Sequence, residues 1–123
     1  PVFDVIVVGA RCAGSPTGML LAREGYRVLV VDRASFPSDT ISNIYTPDGT
    51  ARLRDWGLLE RVLATGVDTY NGILRTFQGF TLPADPNDPP CIAPRRTVLD
   101  KILVDAAQEA GAEVREQTTI DSL

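Results

Sequence analysis

The sequence predicts an α/β fold built on a parallel sheet. Three observations carry that prediction. An apolar, β-branched run, Val5-Ile6-Val7-Val8, opens the chain. A turn bracketed by Gly9 and Gly14 follows it directly, and a second apolar run ends in an acidic residue, Asp32.

Each element follows from local chemistry. Val5 to Val8 has the continuous apolar character of a strand buried on both faces of a parallel sheet. Gly9 to Gly14 is the turn. A helix runs from about Gly14 to Glu24, with Pro16 tolerated in its first turn, and Gly25 ends it. Arg27 to Val31 is the second buried strand. Phe36 to Asp48, with Pro37 and Pro47, reads as a loop. Short helices are expected from Pro47 to Trp56 and from Leu58 to Ala64, stopped by Gly57 and Gly66. Ile73 to Leu82 looks extended, as two short strands with Gly79 near a turn. Asp85 to Pro90 breaks the chain. Thr97 to Ala110 is an amphipathic helix, with Val98, Leu99, Ile102, Leu103 and Ala106 at helical spacing. Gly111 stops it, Ala112 to Glu116 is a strand, and Thr118 to Ile120 reads as the start of another.

Composition narrows the classes. The chain has 123 residues, 44% apolar and 23% charged, with a net charge of -4. That suits one small soluble domain. Without a basic run, nucleic acid and anionic membranes are poor partners. Cys12 and Cys91 are too few for a disulfide framework and fit no zinc spacing, so a reducing cytoplasmic location is expected. The run Val5 to Val8 is too short for a signal peptide, and no segment approaches membrane-spanning length. With no His, these residues hold neither a histidine triad nor a histidine metal site, and no metal is expected.

The turn is where chemistry concentrates. Gly9 turns the chain without a Cβ penalty. Gly14 lets the following helix pack closely on the sheet, and Gly18 extends that approach. The helix N-terminus offers N–H groups and a positive dipole end to a diphosphate. Asp32, about twenty residues on, stands where an acidic residue accepts hydrogen bonds from an adenosine ribose. Arg11 replaces the middle glycine of the usual pattern. Its side chain must point away from the ligand or run alongside it, where a guanidinium would screen phosphate charge. Cys12 sits near the helix N-terminus, which lowers a thiol pKa, but a small residue filling the turn is the simpler reading. Arg33 beside Asp32 would meet a 2′-phosphate in a nicotinamide enzyme.

The run from Asp4 to Ser15, with Leu20 to Gly25 and Val28 to Arg33, resembles FAD-dependent oxidoreductases. The nearest groups are aromatic hydroxylases of the para-hydroxybenzoate hydroxylase type and geranylgeranyl reductases. Pro94-Arg95-Arg96-Thr97-Val98-Leu99-Asp100, leading into a helix that ends at Gly111, is similar to a second motif of these families, in which an Arg before the helix contacts the flavin cofactor. Arg96 is the matching residue and Arg95 the second choice. A cation at a helix N-terminus is disfavoured unless an anion compensates it. The loop Phe36 to Ser42 is similar to the segment that passes the flavin. The chain has Asn43-Ile44 where relatives often carry Thr-His.

The resemblance implies a Rossmann-like FAD-binding domain with helices on both faces of the sheet, incomplete, and with the start of a β-rich substrate domain. Residues 1–123 would be its N-terminal part, with an inserted extended segment at about 70–94. Gly9, Ala10, Arg11, Cys12, Ala13, Gly14, Asp32, Arg33 and Arg96 would hold the ADP half of FAD. NAD(P)H would be the reductant and a small molecule the substrate. Monooxygenase, reductase and halogenase outcomes depend on residues beyond Leu123. No acid, base or nucleophile stands out, and Arg52, Arg54 and Trp56 read as packing and solvation. The chain alone is expected to be inactive. The alternatives are an NAD(P)-dependent dehydrogenase and a non-catalytic nucleotide-binding fragment. An open sheet edge would favour a homo-oligomer.

Overall fold

The computed structural model describes residues 2–41, 46–71 and 75–122. Ser42, Asn43 and Ile44 of the expected flavin-side loop, Ile73 and Leu74 of the expected extended run, and Leu123 lie outside the described residues. The chain forms two compact units, residues 1–40 with 96–123, and residues 41–95.

The first unit is a three-stranded parallel sheet with two helices. Its elements are β1 (Val5–Val8), α1 (Gly14–Arg23), β2 (Val28–Val31), α4 (Arg96–Glu109) and β7 (Glu113–Arg115). The strand order is β1-β2-β7. Val5 pairs with Val28 and Val8 with Val31, while Leu29 pairs with Glu113 and Val31 with Arg115. The central strand β2 is buried on both faces throughout.

The outer strand β1 departs from the expectation of burial on both faces. Val5 and Val7 are half-buried, but Ile6 is 56% exposed and Val8 62% exposed. The parallel α/β sheet is as expected. α1 and α4 pack against each other, and α1 rests on the Val28 and Val30 side of β2.

Close packing on the helical side depends on a missing side chain. A Cβ on Gly18 would lie 2.5 Å from the Val30 Cγ2 methyl. The glycine therefore lets the α1 backbone rest directly on β2. In α4 the buried face is Leu99, Asp100, Leu103, Val104, Ala106 and Ala107. The stripe is turned slightly from the one read in the sequence: Val98 points outward at 38% exposure and Val104 takes its place inside. A helical stripe centred on residues 99, 103 and 107 has the i, i+4, i+8 spacing of one face.

Among the described residues no strand follows β7. Thr118 to Ile120 is irregular, and its backbone is tied to the end of β2 through Thr118 N–H to the Asp32 carbonyl at 2.9 Å.

The second unit contains α2 (Pro47–Asp55), α3 (Leu59–Leu63), and the strands β3 (Thr69–Tyr70), β4 (Arg75–Phe77), β5 (Phe80–Leu82) and β6 (Cys91–Ile92). Thr50, Leu53, Leu58, Val62, Cys91 and Ile92 are buried within it. β4 and β5 form a hairpin closed by Gln78 and Gly79, both at positive φ, which is the twist that two-residue hairpins require. β3 and β6 pair antiparallel, Thr69 with Ile92 and Tyr70 with Cys91. Two-residue strands leave no periodic trace, so nothing in the sequence pointed to them. Among the described residues no helix is long and apolar enough to cross a membrane.

Candidate functional site

A cleft of about 320 Å³ opens at the carboxyl ends of the parallel strands, where open α/β sheets bind ligands. Val8, Gly9 and Arg11 form one wall, Val31 to Ala34 the second, and Thr118 to Ile120 the third.

The first wall is a turn held from inside. The Gly9 N–H donates to the Val31 carbonyl at 2.7 Å, and Gly9 has φ +102°, a conformation open to glycine at little cost. A Cβ on Gly9 would meet nothing within 4 Å, so the turn is open on that side. Gly14 is the opposite case. Its Cβ would fall on the Gly9 carbonyl and 3.2 Å from Val7 Cγ1. The Ser15 hydroxyl donates to the Ala10 carbonyl at 2.6 Å. The α1 N-terminus has Ala13 at its cap position, with no side-chain cap and no acidic residue in the first turn. The positive end of its dipole is left for an external anion.

The second wall is organised by Asp32, which is 8% exposed. One carboxylate oxygen accepts from the Ala10 N–H at 2.7 Å and the other from the Ala34 N–H at 2.8 Å. Its own carbonyl accepts from Thr118. One residue thus ties the glycine turn, its own loop and the post-β7 segment together. Each carboxylate oxygen keeps a further lone pair, and Asp32 lines the cleft. Arg33 is exposed on the same wall.

Arg11 also lines the cleft, but its guanidinium is engaged inward. Nη1 donates to Asp100 Oδ2 at 2.7 Å, Nη2 donates to the Ser38 hydroxyl at 2.8 Å, and the group lies 5.4 Å from the centre of the Phe36 ring. Arg96 sits on the first turn of α4 and also meets Asp100, through Nε at 2.9 Å and Nη2 at 3.3 Å. The Cys12 thiol lies 3.3 Å from Asp100 Oδ1. Asp100 itself is fully buried. This carboxylate is the anion that compensates a cation at the α4 N-terminus.

Of the expected cofactor residues, the structure gathers Gly9, Arg11, Asp32 and Arg33 on the cleft. Ala10, Cys12, Ala13 and Gly14 shape the turn behind it. Arg96 is not among the cleft-lining residues, and Arg95 is exposed. The sequence reading missed Ala34, Thr118, Thr119, Ile120 and Asp100. The first four lie in irregular backbone with no pattern to read. Asp100 carried a signal, an acidic residue on the apolar face of a helix, four residues after an arginine.

Residues 2–123 match the FAD binding domain family. The chain belongs to that family. Conditioned medium factor receptor 1 of Dictyostelium discoideum is 30% identical over 142 residues, 98% of this chain and 26% of its own length. Monodechloroaminopyrrolnitrin halogenase PrnC of Pseudomonas fluorescens is 29% identical, over 96% of this chain and 25% of that protein. The flavin-dependent brominase Bmp2 has a similar structure, with a TM-score of 0.77 and 28% identity over 91% of this chain and 28% of its own. The chain spans about a quarter of the length of the curated relatives it matches. The cleft fits the ADP half of FAD on its own geometry. An open glycine turn and an uncapped helix end suit a diphosphate, and a carboxylate with spare lone pairs suits ribose hydroxyls.

Proposed function

We propose that this chain is the segment of a FAD-dependent oxidoreductase that holds the ADP half of FAD, and that the enzyme is a flavin-dependent halogenase or monooxygenase. The observation that carries the reading is the cleft bounded by Gly9 and Asp32 at the carboxyl ends of β1 and β2. The names of PrnC and Bmp2 support halogenation as the more specific outcome. NAD(P)H is the reductant this reading carries from the family resemblance.

Bound FAD would supply the redox chemistry, and the protein supplies binding, orientation and electrostatics. In this chain the backbone at Gly9 and the α1 N-terminus take the diphosphate. Asp32 accepts hydrogen bonds from the ribose. Ala34 and Thr118 to Ile120 flank the base, and Arg33 stands at the edge of the adenosine cleft.

The test is a FAD titration of the full chain, followed by competition with ADP, FMN and NADPH. Saturable FAD binding that ADP displaces, and that equal concentrations of FMN and NADPH do not, is the expected result. Tighter binding of NADPH than FAD would instead favour a dehydrogenase in which Arg33 meets a 2′-phosphate. Displacement by FMN as effective as by ADP would remove the adenosine assignment of the cleft.

A further inference from the structure

We infer that Asp100 is a positioning residue for the dinucleotide turn: it holds Arg11 as an internal brace, so that Arg11 shapes the diphosphate cradle rather than binding the diphosphate. The cradle part of this inference rests on the nucleotide reading above, whereas the brace itself does not.

The argument begins with the position of Arg11. It stands where the usual turn has a glycine that allows backbone approach to a diphosphate. An arginine there has two uses, as a phosphate clamp or as a structural tie. Its contacts distinguish them. One N–H of each terminal nitrogen is taken, on Asp100 and on Ser38, and the guanidinium lies 5.4 Å from the centre of the Phe36 ring. A bidentate phosphate clamp presents two parallel N–H groups to one ligand, whereas here the two terminal nitrogens are oriented by two different protein partners, Asp100 and Ser38.

Asp100 has the features of an anchor. It is fully buried on α4 and accepts from Arg11, from Arg96 and from the Cys12 thiol. A buried carboxylate is tolerated when its lone pairs are satisfied by charged donors. Two guanidinium groups about one carboxylate leave a net positive cluster behind the turn. Through Asp100, residues 11 and 12 of the turn are tied to a helix almost ninety positions away. Through Ser38 and Phe36 the same arginine is tied to the loop after β2. The turn is thereby held in its open form before any ligand arrives, which lowers the ordering cost of binding.

The experiment is a double-mutant cycle with Arg11→Met, Asp100→Asn and the combined variant of the full chain, read by thermal unfolding and by ADP titration at several salt concentrations. Each single change is expected to weaken ADP binding about tenfold, the loss of one charged hydrogen bond. The combined variant should bind no more weakly than Asp100→Asn, because both changes remove the same brace. Arg11→Met removes one charge behind the turn but no phosphate contact, so the dependence of ADP affinity on salt should flatten only slightly, by less than Arg33→Met flattens it. A salt dependence in Arg11→Met flattened more than in Arg33→Met would make Arg11 a phosphate ligand and overturn the inference. Losses that multiply to about a hundredfold in the combined variant would also overturn it. If Asp100→Asn does not fold, the salt dependence of Arg11→Met decides alone. Failure of the wild-type chain to bind ADP would overturn the nucleotide reading and the cradle role with it. The unfolding cycle would still decide the brace, because coupling between residues 11 and 100 needs no ligand.

Discussion

Replacing Gly14 by alanine is the sharpest test of how the turn is built. The new Cβ would fall on the Gly9 carbonyl, 2.8 Å from the Gly9 carbonyl carbon and 3.2 Å from Val7 Cγ1. Overpacking typically costs about 1–3 kcal/mol, and a backbone carbonyl fixed between a strand and a helix has no rotamer to escape into. The upper end, about 3 kcal/mol, therefore applies, and because Gly14 is the first residue of α1, the interior helix preference of alanine offsets little of it. The net expectation is about 2–3 kcal/mol of destabilisation, close to the size of effect that unfolds marginal domains. Gly18→Ala is the internal control. Its Cβ would come closest to the Val30 Cγ2 methyl, at 2.5 Å, a less severe clash than that of Gly14 with backbone. Its net cost should be about 1 kcal/mol, overpacking of about 2 kcal/mol less about 1 kcal/mol of helix propensity. Urea unfolding gives both values, with unchanged m-values as the check on two-state behaviour. ADP titration separates the two variants further. Gly14→Ala displaces the Gly9 peptide that lines the cleft and should weaken ADP at least about tenfold, or about 1.4 kcal/mol. Gly18→Ala lies one helical turn away and should leave ADP affinity at the wild-type value. A Gly14→Ala chain within about 0.5 kcal/mol of wild type, or a Gly18→Ala chain that loses ADP affinity as severely, would refute the packing argument.

Two further outcomes follow from carboxylates in the first unit. Asp32→Asn keeps the shape but leaves one acceptor for two backbone N–H donors, those of Ala10 and Ala34. Thermal unfolding should show a loss of about 1–3 kcal/mol, and FAD titration should show weaker binding from the same change. Asp4 is held down to about pKa 2 from 3.8, first by the Arg27 guanidinium hydrogen bonds and then by the Arg27 backbone N–H. A depressed carboxylate stabilises the fold fully above its ordinary pKa and loses that contribution as pH falls through the folded value. A carboxyl-carbon NMR titration should therefore place Asp4 near 2, with its stabilisation fading between about pH 4 and pH 2. The pair is exposed, so 1 M salt should move Asp4 back toward its ordinary value. A midpoint near 4 at low salt would show that the pair does not persist in solution.

The sequence by itself determined the parallel α/β character, the order of the main elements and the place of the glycine turn. These are local properties. An apolar run, a glycine before a helix, a helical stripe and an acidic residue at a strand end act within a few residues of one another. Strands of two residues, Thr69–Tyr70 and Cys91–Ile92, fell below that horizon, because no period can be read from two positions.

Tertiary structure alone decided how the turn is held. The pairing of Arg11 with Asp100 joins residues 89 positions apart, and no local pattern records such a contact. It also decided that Thr118 to Ile120 is a wall of the cleft rather than a strand, since backbone contact with Asp32 outweighs the weak extended propensity of that segment. The same holds for β1. Its uniform valine and isoleucine pattern suits burial on both sides, but which side is covered depends on where helices pack. Here α1 rests on the Val28 and Val30 side of β2, and Ile6 and Val8 are exposed.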